Sequence, residues 1–312
     1  MSRPLAVEIV EAIVASCRNR RHREDDGPEI DRDIEVGDFD RLEVAGPFDV
    51  EVKTGPKASV RASGAEWALD TLTIERQDDR LFIGCEVDCD GNVTVEVTVP
   101  SLRGLRMAGS GDVSVDRIDG GLFECASNGS GDLEIEFIEA DMLSLSAAGS
   151  GDVRIDKVRA TKFDASIMGS GDLSLDGVEG TSFNLTMNGS GDAQIEEYSG
   201  DRIEAVLTGS GDLGIENLEV KAVKVSVFGS GDVCISEGEA KSAAFETGGS
   251  GDIDADGIAV AQASLSVCGS GDICAQVTGK AEITVMGSGD VSITGGAKYS
   301  VSGSGSGEIH CS

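Results

Sequence analysis

Gly109-Ser110-Gly111-Asp112 is the stretch that decides the fold, because the same four residues recur at a constant interval along most of the chain. Further copies start at positions 129, 149, 169, 189, 209, 229, 249 and 269, with no insertion or deletion between them. Two slightly shorter steps then lead to Gly287-Ser288-Gly289-Asp290 and Gly305-Ser306-Gly307-Glu308. A fixed period of this length is typical of a solenoid, in which each repeat is one structural unit that stacks on the next.

The residues between the motifs follow a strand pattern. Numbered from the first Gly of a copy, positions 5 and 7 are apolar in nearly every copy, position 10 usually is, and positions 15, 17 and 19 form a third apolar set, as in Phe183, Leu185 and Met187. Such alternation has the period of strands with one buried face, and no run suits a helix. The leucine and asparagine frame of a leucine-rich repeat is missing. We therefore predict an all-β fold, a single-stranded parallel β-helix (solenoid). Its copies lack the hexapeptides of left-handed β-helices, which favours a right-handed one.

The sequence divides into three regions. Residues 1–29 form an N-terminal helix or degenerate signal followed by a charged linker, residues 30–108 form irregular first coils and a cap, and residues 109–312 form the regular coils. Gly46-Pro47-Phe48-Asp49 looks like a worn copy of the repeated motif, and its separation from Gly109 is close to three coils. In the same region, Trp67 is expected to cover the open end of the core.

The N-terminal region allows two interpretations. Val14-Ala15-Ser16-Cys17 resembles a bacterial lipobox, in which the cysteine is lipidated, so Cys17 is a candidate lipidation site. However, Glu8 and Glu11 interrupt the preceding apolar run, and an arginine cluster follows that run instead of preceding it, unlike a secretory signal. The alternative is an amphipathic helix followed by a charged linker.

Composition restricts the partners. The formal net charge of −32 argues against nucleic acid and anionic membrane surfaces, while it permits cations or basic partners. No stretch of 18 apolar residues exists, so no membrane-spanning helix is expected. One Trp and two Tyr are too few for an aromatic carbohydrate platform.

The eight cysteines do not suggest a disulfide framework. Cys234 and Cys274 share position 6 but lie two coils apart, which is about 9.6 Å at the usual strand spacing. That separation exceeds the reach of a disulfide. We expect free thiols and small core residues.

The pattern of Asp38-Phe39-Asp40-Arg41-Leu42-Glu43-Val44, then Gly46 to Val52, then Leu72-Thr73-Ile74 through Leu81-Phe82-Ile83, followed by serial Gly-Ser-Gly-Asp, resembles the bacterial family called putative autotransporter adhesin head, GIN domain. The likeness covers about residues 34–312. The resemblance implies a right-handed, pectin-lyase-like β-helix that is exported to the periplasm or outer membrane, has no established enzyme activity and serves in adhesion.

The glycines of the motif are predicted to adopt positive φ at a sharp corner, and its Ser and Asp to bond nearby backbone N–H groups. The alternative for the Asp is a ladder that binds divalent cations, since equivalent residues of adjacent coils lie about 4.8 Å apart. Positions 4 and 8 should point to the same outer face, in two rows about 13 Å apart. The position 4 row contains Asp112, Asp132, Asp152, Asp172, Asp192, Asp212, Asp232, Asp252, Asp272 and Asp290. The position 8 row contains Asp116, Glu136, Asp156, Asp176, Glu196, Glu216 and Asp256, with a break at Ser236.

These features favour a non-enzymatic protein. Only His22 and His310 are present, no nucleophile–histidine arrangement is apparent, and nine copies without an insertion leave no loops to wall a cleft. Position 6 is too irregular for an ice-binding array. The favoured function is a cell-envelope rod that binds an unidentified protein or envelope component through its acidic outer face, with no cofactor. The alternatives are a polymer-forming structural β-helix, a divalent-cation-binding repeat protein and, least favoured, a polysaccharide-active enzyme. Since residues 305–312 look uncapped, end-to-end self-association is also an alternative.

Overall fold

The computed structural model describes residues 28–85 and 93–312. The predictions for Cys17 and the N-terminal segment lie outside these residues. The described chain forms a parallel β-solenoid of about ten turns, with its strands joined in a single hydrogen-bonded sheet. Within these two ranges, no helix has the length and apolar content needed to span a bilayer.

The N-terminal third contains short strands and one helical turn. These elements are β1 (Glu29–Ile34), β2 (Arg41–Ala45), β3 (Asp49–Thr54), β4 (Ser59–Ala65), α1 (Glu66–Leu69), β5 (Leu72–Gln77), β6 (Arg80–Cys85), β7 (Thr94–Val99) and β8 (Gly104–Met107). The regular coils follow as β9 (Val113–Ser127), β10 (Leu133–Ala147), β11 (Val153–Ile167), β12 (Leu173–Met187), β13 (Ala193–Leu207), β14 (Leu213–Val227), β15 (Val233–Thr247) and β16 (Ile253–Val267). The last elements are β17 (Ile273–Val285), β18 (Val291–Thr294), β19 (Lys298–Gly303) and β20 (Ile309–Cys311).

Each regular coil pairs with the next in parallel, so that every residue lies opposite the residue at the same position of the neighbouring copy. The pairing of β10 with β11 skips Glu136 and Asp141, at positions 8 and 13, so one long strand consists of three straight segments joined by bends. The shorter repeats at the C-terminal end are accommodated by register shifts between β16 and β17 that follow Ala255 and Val260. The predicted parallel β-helix with up to three strand segments per coil is therefore confirmed.

The core occupies the interior of the coils. Leu173, Leu175, Phe183 and Leu185, at positions 5, 7, 15 and 17, are each at most 1% exposed and belong to one cluster. The rings of Phe163 and Phe183 stack at 4.5 Å between centroids, one coil above the other. The predicted burial of positions 5, 7, 15, 17 and 19 is confirmed. Position 12 is also buried in five coils, whereas Gly120 is exposed and Gly180 and Gly200 are half-buried. The alternation of large apolar residues does not reveal this position, because small side chains such as Ala160 often occupy it.

The degenerate copy of the motif, Gly46-Pro47-Phe48-Asp49, stacks directly beneath the first regular copy at Gly109. The N–H of Ser110 donates to the carbonyl of Gly46 at 3.1 Å, and the N–H of Asp112 donates to Oδ1 of Asp49 at 3.0 Å. The expected separation of about three coils is therefore wrong. Between the two motifs, β6, β7 and β8 remain in the parallel sheet, where β6 pairs with β2, β7 with β3 and β8 with β2 and β9. The cap is added by antiparallel pairing of β1 with β4, β4 with β7 and β5 with β6.

The cap closes the N-terminal end of the core. Helix α1 carries the buried residues Ala68 and Leu69, and Trp67 is partly buried against the core, as expected from its predicted covering position. Strand β1 alternates charged and partly buried residues, so the outer edge of the cap carries Glu29, Asp31 and Asp33. Charges of this kind discourage strand pairing with another chain.

The glycines of the motif are required by close stacking and not, as the sequence suggested, by positive φ. The positive-φ glycines lie elsewhere, for example at Gly238 and Gly295. A Cβ at Gly149 would lie 1.8 Å from the carbonyl oxygen of Gly129, and one at Gly151 would lie 2.0 Å from that of Gly131. The corners of successive coils therefore approach too closely for any side chain at positions 1 and 3.

The cysteines are distributed between core and surface. Cys125 is buried, whereas Cys234, Cys268 and Cys311 are exposed, and all four are thiols. Burial raises the pKa of Cys125 to about 12, so its thiol stays protonated at neutral pH. These four thiols are therefore free, as the sequence predicted.

Gly149→Ala should destabilise the protein by at least about 1–3 kcal/mol, because the added methyl overlaps the backbone of the preceding coil. Gly120→Ala is the matched control, since a Cβ there meets nothing within 4 Å. It should leave stability unchanged or slightly raised. Urea unfolding of both variants checks this expectation. Equal stability of the two variants would contradict the stacking explanation for the motif glycines.

Candidate interaction face

The aspartates at position 4 form a continuous ladder along the solenoid. The backbone N–H of each donates to Oδ1 of its counterpart in the preceding coil, as from Asp192 to Asp172 at 2.8 Å. Eleven such bonds of 2.6–3.0 Å run without interruption from Asp49 to Glu308. The carboxylate therefore links adjacent coils, whereas the sequence suggested a bond within its own turn.

The ladder leaves these side chains at the surface. The nine from Asp112 to Asp272 are exposed and Asp290 is half-buried. One carboxylate oxygen of each is engaged by the backbone, so the row has a structural role whatever its other partners. Nowhere in residues 28–85 or 93–312 do three or more metal-ligating side chains gather in a group that could hold a metal ion. The ladder geometry favours coil-to-coil bonding over the cation alternative.

The position 8 row also lies outside, but its members have different surroundings. Asp116 accepts the backbone N–H of Thr54 at 2.9 Å and thereby holds the edge of β3. Arg154, at position 6, pairs with both Asp156 and Asp176. These three acidic residues are therefore already engaged within the chain. The predicted uniform row is divided into a compensated part and an uncompensated part.

Among the described residues, the members of this row that lack an ion pair, apart from the hydrogen-bonded Asp116, are Glu136, Glu196, Glu216 and Asp256. Two of them, Glu196 and Glu216, lie on the adjacent coils β13 and β14. Glu196 and Glu216 of the position 8 row lie beside Glu197 and Glu237 of position 9, around a surface depression of about 340 Å³. We call Glu196, Glu197, Glu216 and Glu237 the acidic patch. Of these four exposed residues, Glu216 has a neutral neighbour, with its Oε1 3.5 Å from Nε2 of Gln194. Arg202, Lys221 and Lys224, on the same strands, pair with Asp201 and Glu204 instead.

Several carboxylates elsewhere on the coils are paired with cations. Lys157 and Arg159 flank Glu179, and the hydrogen bond from Lys157 is the main cause that lowers the pKa of this carboxyl group. The hydrogen bond from Lys224 lowers the pKa of Glu204 in the same way. Both pKa shifts favour the ionised form that binds the cation. The four carboxylates of the acidic patch differ from these, because none of them takes part in an ion pair among the described residues.

The cationic side chains concentrate in the first three regular coils. The guanidinium of Arg117 lies 4.3 Å from the ring centroid of Phe137, and Arg159 approaches the same ring at 5.8 Å. Arg117 also pairs with Asp119 at 2.5 Å. The repeat period does not predict this cluster, because position 9 holds a different kind of residue in successive coils, as at Arg117, Phe137 and Lys157. These contacts hold Arg117 and Arg159 around Phe137, away from the acidic patch on β13 to β15.

A model of one protein family matches most of this chain. The family model described as "Putative auto-transporter adhesin, head GIN domain" matches residues 38–199 and 184–297. This chain belongs to that family. No curated protein matches the chain.

Solved structures of similar proteins come from Bacteroides and Parabacteroides species. A putative adhesin from Bacteroides fragilis is 16% identical, with a TM-score of 0.44, and the match covers 91% of this chain and 97% of that one. A putative lipid binding protein from Parabacteroides distasonis is 20% identical, with a TM-score of 0.46 and coverage of 92% and 97%. A putative adhesin from Parabacteroides merdae is 17% identical, with a TM-score of 0.40 and coverage of 92% and 97%.

Asp172→Ala should destabilise the protein by about 1 kcal/mol, because the N–H of Asp192 loses its acceptor. Asp172→Asn keeps an acceptor oxygen and removes one charge from a row of like charges. It should therefore match or exceed the wild type in stability. Urea unfolding of the two variants separates the roles of acceptor and charge. Similar losses in both would show that the charge itself is what the coil needs.

Proposed function

We propose that this chain is a non-catalytic adhesion or interaction rod of the bacterial cell envelope, which binds a basic surface of a protein or envelope component through the acidic patch. Membership of the adhesin-head family supports a surface or exported location and a binding function. The uncompensated carboxylates of Glu196, Glu197, Glu216 and Glu237 are the observation that carries the choice of surface.

The regularity of the coils supports a function without catalysis. From Gly109 to Cys268 every coil has the same length, and pairing continues without bulges from β9 to β16. No loop projects from this part of the described chain to wall a substrate cleft. A surface of this kind suits extended contact with a partner better than enclosure of a small molecule.

The charge of the patch supports a basic partner. Each exposed ion pair contributes roughly 0.2–1 kcal/mol, so four together contribute about 1–4 kcal/mol. That range corresponds to a change in affinity of about fivefold to nearly a thousandfold. Contacts of this kind are screened beyond about 8 Å at physiological salt. Binding should therefore be distributed over several side chains and weaken as salt rises.

A lysine decapeptide is a suitable probe for this surface. Replacing the four glutamates of the acidic patch with glutamine should weaken its binding about tenfold. A control with the same change in net charge replaces Asp156, Asp176, Glu179 and Glu204, which already have cations beside them. The control should bind nearly as the wild type does. Isothermal titration calorimetry at two salt concentrations measures both variants.

The two variants also provide the contrary result. If the patch variant binds the peptide as tightly as the control does, the acidic patch is not the binding surface. If both variants lose the same affinity, the net charge of the whole rod governs binding and no local surface is selected. Thermal melts of both proteins establish that the fold is retained.

A further inference from the structure

The last coil exposes residues in register with the core. Tyr299 lies opposite Ala281 and Val301 lies opposite Ile283 in the pairing of β19 with β17. Ala281 and Ile283 are buried, whereas Tyr299 is 53% exposed and Val301 is 52% exposed. The two side chains continue the interior columns at positions 15 and 17 to the end of the described solenoid. The pair leaves apolar side-chain surface uncovered at this end of the described solenoid.

The backbone of β19 is also open to pairing. Among the described residues, β19 pairs only with β17, so its other edge has no strand beside it. Its sequence, Lys298 to Gly303, contains a single charge and no proline. Edges without charges, prolines or bulges are templates for addition of another strand. At the opposite end, the strands that pair on one side only among the described residues are β1 and β5. Both carry more charged residues than β19 does.

The charge distribution indicates what occupies this edge. Residues 269–312 contain four acidic residues and two lysines, which leaves −2 with His310 neutral, against −32 for the whole chain. Two copies of so acidic a rod repel each other least where their nearly neutral ends meet. A second copy also offers the same apolar pair, so Tyr299 and Val301 of both copies can be covered together.

The capped N-terminal end restricts the symmetry. A head-to-tail filament needs the C-terminal edge of one copy to bind the N-terminal end of the next, and the edge strands at that end, β1 and β5, carry charges that discourage such pairing. We propose that two copies of this chain join through their C-terminal coils in a closed two-fold dimer, with β19 antiparallel to β19 of the partner. The surface is separate from the acidic patch, so the proposal does not depend on the proposed function.

Light scattering after size-exclusion chromatography tests the dimer directly. The chain of residues 1–312 should elute with twice its mass of 32.1 kDa. Replacing both Tyr299 and Val301 with lysine should return it to the monomer mass. The control replaces Met168 and Phe228, which are similarly exposed on the flank of the solenoid, with lysine. This control should remain a dimer.

Small-angle scattering gives a second readout, because an end-to-end dimer has about twice the length of one solenoid. A wild-type monomer at high protein concentration, an open series of larger oligomers, or a dimer that only the flank control disrupts would each overturn the proposal. If the double lysine variant loses its β-sheet circular dichroism, the milder Tyr299→Ser and Val301→Ser pair replaces it. The same monomer mass is then expected.

Discussion

The close contact between glycine corners is the constraint on which the rest of the structure depends. The backbones of successive corners approach so closely that a Cβ at Gly149 would lie 1.8 Å from the carbonyl oxygen of Gly129. This proximity lets the Asp at position 4 reach the backbone N–H of the next corner, as Asp172 reaches Asp192. Each corner thus positions the next one, and the repeated bond keeps the coils in register from Asp49 to Glu308.

A rod held in this way presents fixed columns of side chains, and the local charge balance decides what each column can do. Arg154 neutralises part of the position 8 row by pairing with Asp156 and Asp176. Glu196 and Glu216 lack such a cation, so their charges face solvent without a neighbouring counter-charge. The same strict register allows an open edge at β19, while the edge strands at the other end carry charges that discourage pairing. The proposed binding surface and the proposed dimer surface therefore lie on different parts of one rod.

Much of the fold can be predicted from the sequence because the period is strict. The alternation at positions 5, 7, 15, 17 and 19 identifies the buried columns, since strand periodicity needs no long-range information. The outward direction of the two acidic rows follows from the same alternation. Position 12 is missed because small residues such as Ala160 carry a weak hydrophobic signal.

Features that depend on contacts between distant residues could not be predicted in this way. Gly46-Pro47-Phe48-Asp49 stacks beneath the first regular motif although Asp49 and Asp112 lie far apart in the sequence, because part of the intervening chain forms the cap. The reason for the motif glycines was also hidden, since close approach and positive φ both select glycine. Compensation by Arg154 depends on its position between two coils. The sequence likewise does not show which acidic residues lack an ion pair, so it could not single out Glu196, Glu197, Glu216 and Glu237 as a surface.

Removal of one whole coil tests the central claim that identical stacked corners hold the solenoid together. Deleting residues 189–208 would place Leu213 on Leu173 and Asp212 on Asp172, with every position still opposite its own kind. The β-sheet circular dichroism and cooperative unfolding should persist, with somewhat lower stability. Deleting residues 189–198, half a coil, should abolish both because it shifts the register. This account would be contradicted if the whole-coil deletion variant did not fold, or if the two deletion variants folded equally well.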